Sequence, residues 1–126
     1  MLVLDSGAVT VLAARTPQAA ARLRVLQREG LWPPTVPSLV LVECLHGDAA
    51  RDAHVNRLLK ACDVVDALPE ATARRAAQLR RLARRGSAVD AVVVAIAEPG
   101  GAAITSDLED LEALAAYATD VTIHRA

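Results

Sequence analysis

The chain has no phenylalanine and only one tryptophan, one tyrosine and one methionine. Aliphatic packing must therefore fill its core, and the aromatic platform on which single-stranded bases usually stack is missing. Lysine is almost absent as well: Lys60 is the only one, so arginine carries the positive charge. No apolar run approaches the roughly 20 residues that a membrane span needs. No charged leader precedes the strand-like Leu2–Leu4, which makes a cytoplasmic protein the expectation. Two cysteines, Cys44 and Cys62, lack the ligand spacing of a zinc site and read as reduced, apolar packing residues. The net charge of −1 lacks the strong basic balance of most nucleic-acid binders. That total hides segregation, because six of the 14 basic residues lie between Arg74 and Arg85.

What is present bounds the fold. At 126 residues and 53% apolar content, the chain is expected to form one domain, residues 1–126, around one core rather than a disordered segment. Short apolar runs alternate with longer helical patterns, which predicts an α/β fold on a parallel sheet. The pattern places strands at Leu2–Leu4, near Thr35–Val36, and at Asp63–Asp66, Ala102–Thr105 and Val121–His124. Helices are expected at about 6–14, 17–29, 38–46, 49–60, 70–85, 88–97 and 107–117. The expected architecture is a three-layer α/β/α sandwich with four or five parallel strands. Two of the helices differ sharply. The one from Ala71 to Arg85 is amphipathic, whereas Ala88–Ala97 is apolar all round except for Asp90.

Four acids stand within or directly after such apolar runs: Asp5, Glu43, Asp90 and Asp107. Removing a carboxylate from water is expensive unless it is hydrogen-bonded, paired or bound to a metal. No Lys or Arg lies inside these runs. Asp5 and Asp107 follow strands, and ligands in open α/β sheets gather at the carboxyl ends of strands. If the helices bearing Glu43 and Asp90 face that rim, the four converge as oxygen donors suited to Mg²⁺ or Mn²⁺.

Each acid also has a plainer reading. Asp5 could cap the helix after it. Ser87-x-x-Asp90 resembles a capping box, and Asp107-x-x-Asp110 can be read the same way. Glu43, too deep in its helix for a cap and flanked by apolar residues, is hardest to explain structurally. The arginine helix is by default a solvated face, with RNA phosphate contact as the alternative.

The ordered set Leu-Asp5-Ser6, Glu43-Cys-Leu-His46-Gly47, Val-Asp90-Ala and Thr105-Ser-Asp107-Leu-Glu-Asp110-Leu resembles a PIN domain, most closely the VapC-type ribonuclease toxins. The likeness runs nearly the whole chain. It implies that Asp5, Glu43, Asp90 and Asp107 form a metal-binding catalytic quartet, with Asp110 as a further metal-site acid. Ser6 and Thr105 match supporting hydroxyls. His46, three residues beyond Glu43, is expected on the same helical face and near the scissile phosphate. The implied activity is Mg²⁺- or Mn²⁺-dependent hydrolysis of RNA phosphodiesters by the toxin half of a toxin–antitoxin pair. The implied partners are a small antitoxin that occludes the acidic pocket and a second copy in a homodimer, for which the helices near 17–28 and 49–60 offer a face. The alternative is a PIN module that binds RNA or protein without cutting. A signalling receiver domain is excluded, since Asp5 has no acidic neighbour and no lysine falls late in the chain.

Overall fold

The computed structural model describes residues 1–126. Five strands form one parallel sheet: β1 (Leu2–Leu4), β2 (Thr35–Pro37), β3 (Asp63–Val65), β4 (Ala102–Thr105) and β5 (Thr122–Arg125). Their spatial order is β3-β2-β1-β4-β5. Leu4 stands opposite Ile104, and Thr105 opposite Arg125. β1, the central strand, is buried along its whole length. That explains its unbroken apolar run, since a parallel strand is covered on both faces.

Seven helices cover the sheet. On one face α1 (Ser6–Ala13) packs against α2 (Pro17–Arg28), α3 (Val40–Cys44) and α4 (Ala53–Leu59). On the other, α6 (Ala88–Ala97) packs against α5 (Glu70–Ala83), α7 (Leu108–Ala115), β1 and β4. The expected α/β/α layering is therefore the layering observed. α6 explains its own composition: Ala91, Val92, Val93, Val94, Ala95 and Ala97 are all buried. Each buried valine contributes about 1.5–3 kcal/mol relative to an exposed one. No helix is long and apolar enough to cross a membrane.

Every expected element forms, but two helices are shorter than the sequence suggests. α3 stops at Cys44, where Leu45 turns extended and Gly47 takes φ +81°. α4 begins only after Asp52. Residues between them form a turn, in which Asp48 Oδ1 accepts from the amides of Ala50 at 2.9 Å and Arg51 at 3.1 Å. Such Asp-centred turns compete with the helix.

The topology also fixes where a ligand site belongs. From β1 the chain moves to β2 and β3 on one side, then returns to β4 and β5 on the other. The order reverses between β1 and β4, and the crevice outside their carboxyl ends is the switch point of the sheet. Asp5 follows β1, and Asp107 follows β4 by one residue.

Candidate active site

Asp5 sits at the head of α1 as its N-cap, and its Oδ1 accepts the Ala8 amide at 2.7 Å. It is only 5% exposed and forms no ion pair. Burial pushes its carboxyl above the ordinary range; the Thr105 hydroxyl and the Ala8 amide pull it part of the way back, while the charges of Asp90 and Glu43 push it up again. A single cap bond does not neutralise a buried carboxylate that also senses two other acids. The capping explanation is thus correct and incomplete.

Asp90 occupies the third position of α6 in a complete capping box: its Oδ2 accepts the Ser87 amide at 3.0 Å, and its own amide donates to Ser87 Oγ at 3.0 Å. The structural reading of Asp90 therefore holds. Only one of its oxygens is used by the box, and it stands close enough to perturb Asp5. Asp107 occupies the N-cap position of α7 but makes no side-chain cap bond, so its capping reading fails. Its backbone is clipped instead by Thr105, whose Oγ1 accepts the Asp107 amide at 2.9 Å and donates to the Asp107 carbonyl at 3.1 Å. A hydroxyl has one proton to give. Thr105 gives its proton to the Asp107 carbonyl, and its buried hydroxyl also lies close enough to Asp5 to favour the charged carboxylate.

Close approach of the β1–α1 and β4–α7 junctions is a glycine property. A methyl group on Gly7 would lie 2.9 Å from Ser106 Cβ and nearer still to Ser106 Oγ. The absence of a side chain at Gly7 lets the segment carrying Asp107 lie against the start of α1. Ser6 begins α1, and its carbonyl accepts the Thr10 hydroxyl at 3.0 Å.

Three expectations require correction. Glu43, read as a carboxylate in apolar surroundings, is exposed, and its neighbour Val42 is 82% exposed. It nonetheless lies near enough to raise the proton affinity of Asp5. His46 does not share a helical face with Glu43, because α3 ends before it. Instead its Nδ1 lies 3.1 Å from Asp52 Oδ1. Asp110 is engaged by Arg85, with Nε–Oδ1 at 2.9 Å, while the Arg85 Nη1 reaches Glu109 at 2.9 Å. An ion pair competes with any metal role for Asp110.

Asp52 is the residue that sequence reasoning missed. It is 3% exposed and gathers the amides of His46, Gly47 and Asp48 at 2.9–3.2 Å. The His46 amide first of all, with the His46 ring and the other amides, holds its carboxyl below the ordinary range. The Gly47-Asp48 pair was the available loop signal.

The donor set suits a hard divalent cation: oxygen ligands only, a buried member without a counter-ion, and no arginine paired to Asp5, Glu43, Asp90 or Asp107. No three acids or histidines stand in a closed metal-holding group, however. Asp5, Asp90 and Glu43 couple through space, whereas Asp107 is exposed and is linked to this group only by its backbone, through the Thr105 clip and the Gly7–Ser106 contact.

No protein-family model and no curated protein sequence matches the chain. Solved structures do. A chain of FitAB bound to the IR36 DNA fragment superposes with a TM-score of 0.67 at 19% identity, covering 99% of this chain and 94% of that one. VapBC2 from Rickettsia felis, bound to a promoter DNA fragment, gives 0.69 at 12% identity, covering 99% and 98%. FitAcB from Neisseria gonorrhoeae gives 0.65 at 20%, covering 98% and 96%. The fold is PIN-like, of the kind found in VapBC2, as the ordered motifs implied.

Proposed function

We propose that the chain is a divalent-metal-dependent endoribonuclease, the toxin half of a toxin–antitoxin pair. The observation that carries this reading is Asp5: buried, without a cation, at the switch point of the sheet and sensing Asp90 and Glu43. Asp5, Glu43, Asp90 and Asp107 would hold Mg²⁺ or Mn²⁺. Such an ion supplies Lewis-acid polarisation of the phosphate and activation of water. The protein's own part is placement. The α1 cap fixes Asp5, the Ser87 box fixes Asp90, and the Thr105 clip fixes the backbone of Asp107. Likeness to VapBC and FitAB structures supports the toxin reading.

A small antitoxin has a ready seat. A cavity of about 610 Å³ between α1, α2 and α4 is lined by Leu12, Leu23, Trp32 and Leu58 and bordered by Arg15 and Arg57. An amphipathic helix with acidic flanks fits that chemistry. A homodimer would then use a different surface from the α2 and α4 faces, such as the exposed Val42, Val65 and Leu68. A protein that cleaves RNA and is held by an antitoxin would work in the cytoplasm.

A second reading, a PIN module that binds without cutting, draws on the missing closed metal group and the capping-box role of Asp90. Purified chain incubated with Mn²⁺ and structured RNA separates the two. Discrete, EDTA-sensitive cleavage that vanishes in Asp5→Asn is expected; intact RNA at millimolar Mn²⁺ would favour the binder. Mn²⁺ should also raise the melting temperature of the wild type and not of Asp5→Asn.

A further inference from the structure

Arg22 carries the one buried side-chain nitrogen or oxygen in the chain that has no hydrogen-bond partner, its Nε. Orphaned donors on charged groups are costly and call for an explanation, such as an ion that belongs there. The other end of the guanidinium reaches only the Arg125 carbonyl, at 3.4 Å. Neither Arg22 nor Arg125 pairs with an acid. Both line a cavity of about 390 Å³ whose walls include Val11, Leu12, Thr16 and Gln18, with no acidic residue among them. The lining is rich in donors: two guanidiniums, the Gln18 amide, and a Thr16 hydroxyl that already accepts from the Ala19 amide at 3.1 Å and keeps its proton to give.

The place of this cavity gives it meaning. Arg125 stands opposite Thr105, the residue that clips Asp107. Neighbouring strands lie about 4.8 Å apart. Arg125 is therefore one strand from Thr105 and two from Leu4, on the same carboxyl-end rim as Asp5. Two strand spacings, about 10 Å, separate Arg125 from the Asp5 row, a span that a nucleic-acid backbone readily bridges. Planar guanidiniums match phosphate oxygens in a fork.

We propose that Arg22 and Arg125 form a phosphate subsite that holds the RNA backbone beside the acidic centre. This rests on the ribonuclease reading; a carboxylate from a protein partner would use the same donors, and the location on the catalytic rim favours RNA.

The test measures binding of a fluorescent single-stranded RNA oligonucleotide to the full chain in EDTA, across a salt series. Arg22→Gln and Arg125→Gln should each weaken binding several-fold and flatten the log–log salt slope by about 0.7, the value for one single-strand phosphate contact. Arg125→Lys should keep most of the slope. Arg125 is exposed, so its variants report even if Arg22→Gln folds poorly. An unchanged slope in Arg125→Gln, with wild-type cleavage intact, overturns the subsite alone. Arginine-dependent RNA binding without cleavage in Mn²⁺ sustains the subsite while the nuclease reading fails. Arginine-dependent capture of a polyglutamate peptide, with RNA binding indifferent to both variants, overturns it in favour of a protein partner.

Discussion

Two carboxylates at opposite ends of the sheet, Asp5 and Glu98, show two solutions to the same problem. Both have little contact with water: Asp5 is 5% exposed, and the Glu98 side chain is 12% exposed. Glu98, which follows α6 at the amino end of β4, is fully provided for. Arg75 grips it in a fork, with Nη2–Oε1 at 2.8 Å and Nε–Oε2 at 2.9 Å, and the Thr119 amide adds a bond at 2.9 Å. Arg75 also reaches the Tyr117 carbonyl at 3.1 Å, so one guanidinium ties α5, α6 and the approach to β5 together. The result is a carboxyl held below its ordinary range, chiefly by Arg75. Asp5 has one capping amide, a shared hydroxyl and two like charges, and its carboxyl is pushed up, chiefly by burial. Glu98, used as structure, is supplied with a cation. Asp5, buried without one, keeps a carboxylate that a ligand could engage.

The largest expected contrast comes from Glu43→Gln. Glu43 is exposed and unpaired, so the change should leave stability within about 0.5 kcal/mol. RNA cleavage should fall by at least about a hundredfold, beyond what loss of an outer supporting group brings. A variant that unfolds, or one that cleaves normally, breaks the distinction between the two ends. Gly7→Ala comes next. The added methyl must push Ser106 away, and misplacement of the Asp107 segment by roughly 1 Å should lower cleavage by about a hundredfold. Gly7→Ala combined with Ser106→Gly removes both side-chain clashes and should recover most of the rate. Absence of recovery would locate the defect elsewhere.

The other end should respond in stability alone. Arg75→Ala leaves Glu98 without its fork and should cost about 1–3 kcal/mol, between exposed and buried ion pairs. Urea denaturation measures it, and cleavage per folded molecule should stay at the wild-type level. The smallest effect concerns pH. Glu98, with a depressed folded value, stabilises above its unfolded value of 4.5, and that contribution fades as pH falls below it. Asp5 has the opposite sign: its charge opposes folding at neutral pH, and the opposition is relieved as pH falls from its raised value toward 3.8. Asp5→Asn keeps a good N-cap residue and should therefore be more stable than wild type at pH 7. The difference should close as pH approaches 4; a constant difference would mean that charge is not its source.

Much of this was legible in advance. β1 and β4 announced themselves as short apolar runs ending in acids, and α6 as a helix with no polar face but Asp90. The capping reading of Asp90 was also available from Ser87. The arginine helix is more divided than its sequence suggested. Arg75 and Arg85 are held by Glu98 and by Glu109 with Asp110, and Arg74 pairs with Glu70 at 2.8 Å. No local pattern distinguishes an arginine that crosses to another helix from one that faces water. The turn that ends α3 was obscured because Asp52, itself outside any helix, acts backwards on the amides of residues 46–48, which hydrophobic periodicity does not register.

The amino-acid sequence by itself determined the alternation of strands and helices, the apolar layers and the order of the acidic motifs, because these follow from periodicity and local backbone preference. Only the tertiary structure decided which charges meet. It buried Asp5 and exposed Glu43, gave Asp110 to Arg85, and set Arg125 opposite Thr105 with Arg22 of α2 in the same cavity. Solvent access and charge proximity are properties of the packed layers, and they arise between segments that share no sequence neighbourhood.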